Sequence, residues 1–155
     1  NPKSEIMLIG EAPGHDEDIQ GKPFVGRSGK LLDKMLEAIE LNREKVYIAN
    51  IIPWRPPSNR RPTDEEIEIC LPFIKKHIEL IKPKALMLLG STATFALLKN
   101  TEGITKIRGK WVDLNLNSIS VPTLPTFHPA FLLRQPAQKK HVWEDLKSLK
   151  NKVSN

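Results

Sequence analysis

Short apolar runs alternate with amphipathic helical patterns along this chain, and that alternation restricts the fold more than any other feature. Residues 5–9 form the first run, which ends at Gly10. Residues 27–40 then place apolar side chains at helical spacing, and residues 46–52 and 84–89 form two more strand-like runs. Strands that alternate with helices form a largely parallel sheet covered on both faces, which binds ligands at the carboxyl ends of its strands.

The second half of the chain continues this alternation. Thr63 and Glu66 match a capping box at the start of a helical stripe that continues to Pro83. Residues 120–127 are interpreted as a strand that brings His128 to its end, and residues 139–152 as a final helix. The sequence therefore predicts a single domain over residues 1–155, a three-layer α/β/α fold whose central, mostly parallel sheet has four strands.

The charge of the chain favours a polyanionic partner, with nucleic acid first. Lys and Arg number 24 against 18 Asp and Glu, and the formal charge is +6. No apolar run approaches the roughly 20 residues of a membrane helix, and residues 1–4 do not resemble a signal peptide. We therefore expect a cytoplasmic, nucleoid-associated monomer with no membrane partner. Because the chain begins at Asn1 and not at a methionine, a missing N-terminal extension is an open alternative.

Three residues at predicted strand ends or turns have side chains suited to binding a nucleobase. The Asn50 amide offers a donor and an acceptor to the edge of a pyrimidine, although a turn cap explains it equally well. Phe24 offers a ring for stacking, against the more common alternative of a core aromatic. The His128 imidazole can hydrogen-bond an oxygen that gains negative charge, whereas a lone histidine is more often structural.

Two basic stretches accompany these candidates. Arg55, Arg60 and Arg61 crowd one loop, and Arg134 begins a second basic stretch after the predicted strand end. Phosphate contacts are their natural use, and a solvated loop without a partner is the alternative. Residues 131–133 form an apolar tip that either fills the gap left by an extruded base or begins a buried helical turn.

Four ordered motifs make the chain resemble the family 4 uracil-DNA glycosylases, within the uracil-DNA glycosylase superfamily, over nearly its whole length. They are Gly-Glu-Ala-Pro-Gly at 10–14, Gly-Lys-Pro-Phe-Val-Gly at 21–26, Asn50 with Arg-Pro-Pro-Ser-Asn-Arg at 55–60, and Phe-His-Pro-Ala-Phe-Leu-Leu at 127–133. The resemblance implies a uracil-DNA glycosylase-like fold. It also implies an enzyme that hydrolyses the N-glycosidic bond of deoxyuridine in DNA, releases uracil and leaves an abasic site.

The resemblance assigns roles to residues of these motifs. Phe24 would stack on uracil, Asn50 would read its edge, and His128 would stabilise negative charge on its O2. Glu17 would crowd the C5 side of the base and so exclude the methyl group of thymine. Uracil-containing DNA is thus the expected partner.

The water-activating group is less well defined by the resemblance. Glu11 and the backbone of Ala12 would line the pocket, but the superfamily's best-studied branch has a water-positioning Asp where this chain has Ala12. A catalytic contribution from Glu11 is the alternative. No lysine lies in the pocket motifs, so a lyase step is not expected and the enzyme is predicted to be monofunctional.

The expected DNA contacts lie in the two basic stretches. Arg55, Asn59, Arg60 and Arg134 would bind the DNA, and Leu132 would fill the gap left by the extruded base. One relative traps DNA covalently through a histidine in a basic insertion, but residues 55–66 contain no histidine. We therefore expect ordinary turnover.

One departure from the family concerns its metal cluster. The family usually binds a four-iron, four-sulfur cluster through four cysteines, whereas this chain has only Cys70 and carries Trp54 at the position of a second ligand. An N-terminal extension could restore the upstream pair but not the ligand at Trp54. We therefore expect no cluster, no other metal site and no cofactor. We also expect the packing of the loop around Trp54 to replace the structural role of the cluster.

Two other functions stay open at this point. A catalytically silent nucleic-acid-binding module on the same fold is compatible with the departures at Ala12 and Trp54. A nucleotide hydrolase that acts on small molecules would bind oligonucleotides weakly and with little salt dependence. The basic stretches favour DNA.

Overall fold

Five strands form one central sheet in this computed structural model, which describes residues 5–11, 26–41, 45–54 and 61–154. The strands are β1 (Ile6–Gly10), β2 (Val46–Asn50), β3 (Ala85–Leu89), β4 (Val112–Asn115) and β5 (Ser120–Thr126). Their spatial order is β2-β1-β3-β5-β4, and every pair is parallel except β4 with β5. The predicted mostly parallel sheet is confirmed.

The predicted count of four strands is wrong by one, because β4 adds an antiparallel edge strand. Of its four residues only Leu114 is buried, and the other three are exposed. An edge strand that is largely exposed lacks the continuous apolar run that marks a central strand. In β1 and β3, by contrast, all five residues are buried.

Helices cover both faces of the sheet, as the three-layer prediction requires. They are α1 (Arg27–Ala38), α2 (Asp64–Ile81), α3 (Ser91–Leu98), α4 (Ile104–Ile107), α5 (Pro129–Arg134) and α6 (Lys139–Ser154), with a 3₁₀ turn at Pro136–Gln138 before α6. The predicted capping box begins α2: the Glu66 N–H donates to Thr63 Oγ1 at 3.1 Å, and the Thr63 N–H donates to Glu66 Oε1 at 2.9 Å.

Alternate residues of the strands point into two separate cores. Leu8 belongs to the core that contains Leu36 of α1 and Leu146 of α6. Met7, its neighbour in β1, belongs to the core that contains Ile74 of α2 and residues of α3. This period of two is what a strand buried on both faces requires. None of the helices in the described ranges is long and apolar enough to cross a membrane.

Candidate active site

The carboxyl ends of four neighbouring parallel strands lie along one edge of the sheet. Asn50 ends β2 and pairs in register with Gly10, the last residue of β1. After β3, the N–H of Gly90 donates to the carbonyl of Thr126 at the end of β5, at 2.9 Å. Adjacent strands lie about 4.8 Å apart. The residues that end or follow these strands therefore succeed one another along this edge, as a parallel sheet predicts.

A cavity of about 390 Å³ opens at this edge. Its polar wall includes Glu11, Thr92 and His128. The rest of its lining combines apolar and small residues with the polar Ser91 and Thr105 and the charged Arg134; the others are Leu89, Gly90, Ile104, Phe127, Ala130 and Phe131. Apolar walls with a few convergent polar groups are typical of a small-molecule binding site. The structure thus brings Glu11 and His128, both predicted from the sequence, into one cavity.

The local backbone fixes the tautomer of His128. This residue precedes α5, and its Nδ1 accepts a hydrogen bond from the Ala130 N–H at 3.0 Å. A ring nitrogen that accepts a backbone N–H carries no proton, so the proton of the neutral imidazole is on Nε2. His128 therefore has an N–H donor on the side of the ring opposite its backbone contact.

The surroundings of His128 also keep its ring neutral. Burial lowers its pKa, and the nearby positive charge of Arg134 adds to the effect, so that the pKa falls from 6.5 to about 4. At neutral pH the side chain is therefore an uncharged hydrogen-bond donor.

The lowered pKa of His128 predicts a specific pH dependence. The His128 ring should titrate with a midpoint near 4 in NMR spectra of the folded protein. The folded state disfavours the protonated ring, whereas the unfolded chain binds this proton with a pKa of 6.5. The free energy of unfolding is therefore unaffected by His128 above pH 6.5 and decreases as the pH falls from 6.5 through 4. The loss should reach up to about 3 kcal/mol. Denaturant unfolding of the wild type and of His128→Gln at pH 7 and pH 4.5 isolates this contribution, and a ring midpoint near 6.5 would contradict it.

Gly90 allows the turn after β3 to pack directly against His128. Its φ is +97°, a conformation that L side chains rarely adopt. A Cβ at this position would also lie 3.0 Å from the Cβ of His128. The Thr94 hydroxyl fixes the same turn by donating to the Gly90 carbonyl at 2.8 Å. Glycine is therefore required here by both backbone conformation and space.

Thr92 holds the side chain of Glu11. The Thr92 hydroxyl donates to Glu11 Oε1 at 2.5 Å, and Thr92 is itself buried in the first turn of α3. Neither Thr92 nor Gly90 was predicted from the sequence as a site residue. The signal available for them was their position directly after the third predicted strand, at the edge where ligands bind.

Asn50 lies on the same edge but lines a neighbouring cavity. That cavity has a volume of about 300 Å³ and is bounded by Trp54, Cys70, Phe73 and His77, among others. Asn50 Oδ1 is buried, and it accepts no hydrogen bond within the described part of the chain. A buried amide oxygen without a donor is uncommon and calls for a functional explanation.

The predicted role of Leu132 is wrong for this structure. Leu132 is fully buried in the core, because α5 turns Pro129 and Leu132, three residues apart, toward the interior. Leu133 is 37% exposed, and the neighbouring Arg134 is exposed where it lines the cavity. Of the three residues in the predicted apolar tip at 131–133, Leu133 is therefore the exposed one.

Several predicted site residues lie outside the described residues. They are Ala12, Glu17 and Phe24 of the pocket and Arg55, Asn59 and Arg60 of the basic loop. Their roles stay predictions from the resemblance.

The side chains at the two positions related to the family's cluster do not fit a four-thiolate site. An indole offers a single N–H donor and no ligand atom at the Trp54 position. Burial, with a smaller effect of Glu66, raises the pKa of the Cys70 thiol and so disfavours the thiolate that binds metals. Within the described ranges, no group of three or more His, Cys, Asp or Glu residues could hold a metal ion. Trp54 is 42% exposed, so the described residues do not enclose it.

Comparisons with known proteins identify the superfamily of this chain. The family model of the uracil DNA glycosylase superfamily matches residues 1–147. The chain is 43% identical to a Type-4 uracil-DNA glycosylase of Saccharolobus solfataricus over 160 residues, which cover 100% of this chain and 74% of that protein. It is 42% identical over 154 residues to a Type-4 uracil-DNA glycosylase of Thermotoga maritima, covering 97% of this chain and 79% of the relative. The chain belongs to the uracil DNA glycosylase superfamily.

Proposed function

We infer that this chain is a uracil-DNA glycosylase, a DNA-repair hydrolase that releases uracil from DNA and leaves an abasic site. The observation that carries this conclusion is His128, a partly buried neutral imidazole with its proton on Nε2, in a cavity at the carboxyl ends of the parallel strands. The relatives named above carry the same activity in their names.

The proposed reaction begins with a deoxyuridine that is rotated out of the DNA helix into the cavity, because the glycosidic bond is inaccessible in a stacked base. As the bond between C1′ and N1 breaks, its electron pair moves to the base and negative charge develops on O2. The His128 Nε2–H donates to that oxygen, and a donor fixed in place before the reaction stabilises such charge strongly. The oxygen of a water molecule then bonds to C1′. One of its protons stays on the new hydroxyl group, and the other neutralises the uracil anion.

Asn50 is proposed to read the edge of the base. Its buried Oδ1 is an acceptor without a donor, and the N3–H of uracil is a donor that would satisfy it. The strands β1 and β3 lie between β2 and β5. A base held over the ends of β1 and β3 would therefore lie between Asn50 and His128, although the two side chains line separate cavities.

Glu11 is proposed to position the attacking water. Its side chain lines the cavity, and the hydrogen bond from Thr92 restricts its orientation. The backbone of Ala12 is proposed to line the same pocket, Phe24 to stack on uracil, and Glu17 to exclude the methyl group of thymine. These three assignments rest on the resemblance of the motifs at 10–14 and 21–26.

DNA is proposed to bind across the cavity mouth. Arg134 is exposed there, and Arg55, Asn59 and Arg60 would extend the contact along the DNA backbone. Leu133 replaces Leu132 as the proposed side chain that fills the gap left by the extruded base.

Leu133→Ala is expected to slow uracil release from double-stranded DNA about tenfold and to leave release from single-stranded DNA within about twofold, because only a duplex has a gap to fill. Single-turnover rates on the two substrates measure this ratio. Leu80→Ala is the matched control, since Leu80 is 68% exposed on α2, outside the cavity lining. An equal effect of Leu133→Ala on both substrates would contradict the proposed role.

The protein is further proposed to act as a cytoplasmic, nucleoid-associated monomer of one domain, without a cofactor, an iron–sulfur cluster or a lyase step. The chemistry at Trp54 and Cys70 supports the absence of the cluster. Stoichiometric iron and sulfide in the purified protein would contradict it.

The choice between a DNA enzyme and a small-molecule hydrolase can be tested with substrates of different length. We expect uracil release from a uracil-containing oligonucleotide and none from free deoxyuridine. Binding to the oligonucleotide should weaken steeply between 50 and 200 mM salt, by about tenfold or more, because phosphate contacts release counterions. Efficient cleavage of deoxyuridine without salt dependence would support the small-molecule hydrolase instead.

A further inference from the structure

A line of polar side chains on α6 faces the end of β5 and the segment that precedes β4. His141, Asp145, Ser148 and Lys152 follow one another at helical spacing along α6. Asp145 is only 2% exposed, although its buried neighbours in α6 are Val142, Leu146 and Leu149. Burial of a carboxylate is unfavourable unless it is paired and hydrogen-bonded. The position of Asp145 therefore needs an explanation in its contacts.

Three hydrogen bonds converge on the carboxylate of Asp145. Arg108 Nη2 donates to Oδ1 at 2.6 Å, and Arg108 Nε donates to Oδ2 at 3.2 Å. The hydroxyl of Thr126 donates to Oδ2 at 2.5 Å. A two-point contact between a guanidinium and a carboxylate fixes both groups in one plane and is geometrically specific. Asp145 thus holds two chain segments in a defined relative position.

The two segments held by Asp145 are two walls of the cavity. Thr126 is the last residue of β5, two residues before His128. Arg108 directly follows α4, and Ile104 at the start of α4 also lines the cavity. Asp145 is not among the residues that line the cavity, so an effect of Asp145 on the reaction is indirect.

Further contacts hold the same two segments together. The N–H of Gly109, next to Arg108, donates to the Pro125 carbonyl at 2.9 Å. A Cβ on Gly109, whose φ is +78°, would lie 3.0 Å from Asp145 Oδ1, so the chain approaches the carboxylate closely. On α6, the His141 ring packs against Phe127, with ring centroids 6.3 Å apart.

We propose that Asp145 is a positioning residue for uracil excision, which fixes His128 relative to α4 through Thr126 and Arg108. This inference rests on the proposed function. A misplacement of a reacting group by about 1 Å can cost up to about a hundredfold in rate. Loss of one of these contacts should therefore lower the rate of base release without weakening DNA binding.

A pair of variants at Thr126 tests this proposal. Thr126→Val keeps the shape of the side chain and removes the hydroxyl that donates to Asp145, whereas Thr126→Ser retains a hydroxyl. We expect Thr126→Val to lower the single-turnover rate about tenfold with DNA affinity unchanged, and Thr126→Ser to stay within about twofold of the wild type. Asp145→Asn, which weakens the contact to Arg108, should lower the rate about 10- to 100-fold.

The ring signals of His128 provide a readout independent of activity. They should shift in Thr126→Val and Asp145→Asn and stay at the wild-type positions in Thr126→Ser. Wild-type rates and unshifted His128 signals in a folded Thr126→Val variant would overturn the proposal, even if Asp145→Asn fails to fold. If the wild type released no uracil, the proposed function would fail, and the His128 signals alone would still decide whether Asp145 positions that ring.

Discussion

Replacement of His128 by alanine is expected to slow uracil release by about 10²–10³-fold, the cost of removing one fixed donor to a developing oxyanion. The variant loses the Nε2–H donor, whose proton is on Nε2 because Nδ1 accepts the N–H of Ala130. The proposed contacts to the DNA phosphates, and that of Asn50 to the base edge, are retained in this variant, so its affinity for DNA should change little. Single-turnover rates with enzyme in excess, together with DNA affinities, separate the two effects.

His77→Ala is the matched control for this histidine. His77 lies outside the cavity that contains His128 and borders the neighbouring cavity that Asn50 lines. Its Nε2 is hydrogen-bonded to the Tyr47 hydroxyl at 2.6 Å, so it is not a free donor for the base. A folded His77→Ala variant should release uracil within about twofold of the wild-type rate. If both variants lost activity to the same extent, or if His128→Ala kept the wild-type rate, His128 would not be the charge-stabilising residue.

Gly90→Ala is expected to reduce both stability and activity. A backbone at φ +97° strains any L residue, and the new Cβ would meet the Cβ of His128 at 3.0 Å. The strain should cost about 1–3 kcal/mol of unfolding free energy. Displacement of His128 should slow base release by about a hundredfold, because small misplacements of a catalytic group are costly. Denaturant unfolding and single-turnover kinetics measure the two effects.

Gly103→Ala is the control for this variant, because it adds the same methyl group at a glycine that does not approach His128. Apart from Gly103 itself and its two chain neighbours, no heavy atom of the described residues lies within 4 Å of a Cβ built at this position, and its φ is −64°. This variant should keep the wild-type rate and lose no more than about 1 kcal/mol of stability, because Gly103 is the N-cap of α4, where alanine is less favourable than glycine. An unchanged rate in Gly90→Ala would show that the close approach of Gly90 to His128 is not needed for the reaction.

The parallel core of the fold could be predicted from the sequence because its strands are buried on both faces. All residues of β1 and β3 are buried, which leaves a continuous apolar run in the sequence. β4 was not counted among the strands of the sheet, because an antiparallel edge strand needs only one buried residue, here Leu114. Strand number is thus least predictable at the edge of a sheet.

The candidate site could be predicted where a motif follows a strand. Glu11 and His128 were expected at strand ends, and the structure places both in one cavity. Leu132 was misassigned because a run of three apolar residues does not reveal which side of a six-residue helix is buried. Asp145 was not singled out, because its partners are 19 and 37 residues away in sequence and only the tertiary structure brings them together.

Release of free uracil from oligonucleotides tests the central claim most directly. The purified protein would be incubated with strands that contain one uracil opposite guanine, opposite adenine or unpaired, with matched thymine strands as controls. We predict free uracil and abasic sites from uracil-containing DNA and no base release from the thymine strands. No uracil release from any substrate, with salt-sensitive DNA binding retained, would contradict the account and identify a catalytically silent DNA-binding module.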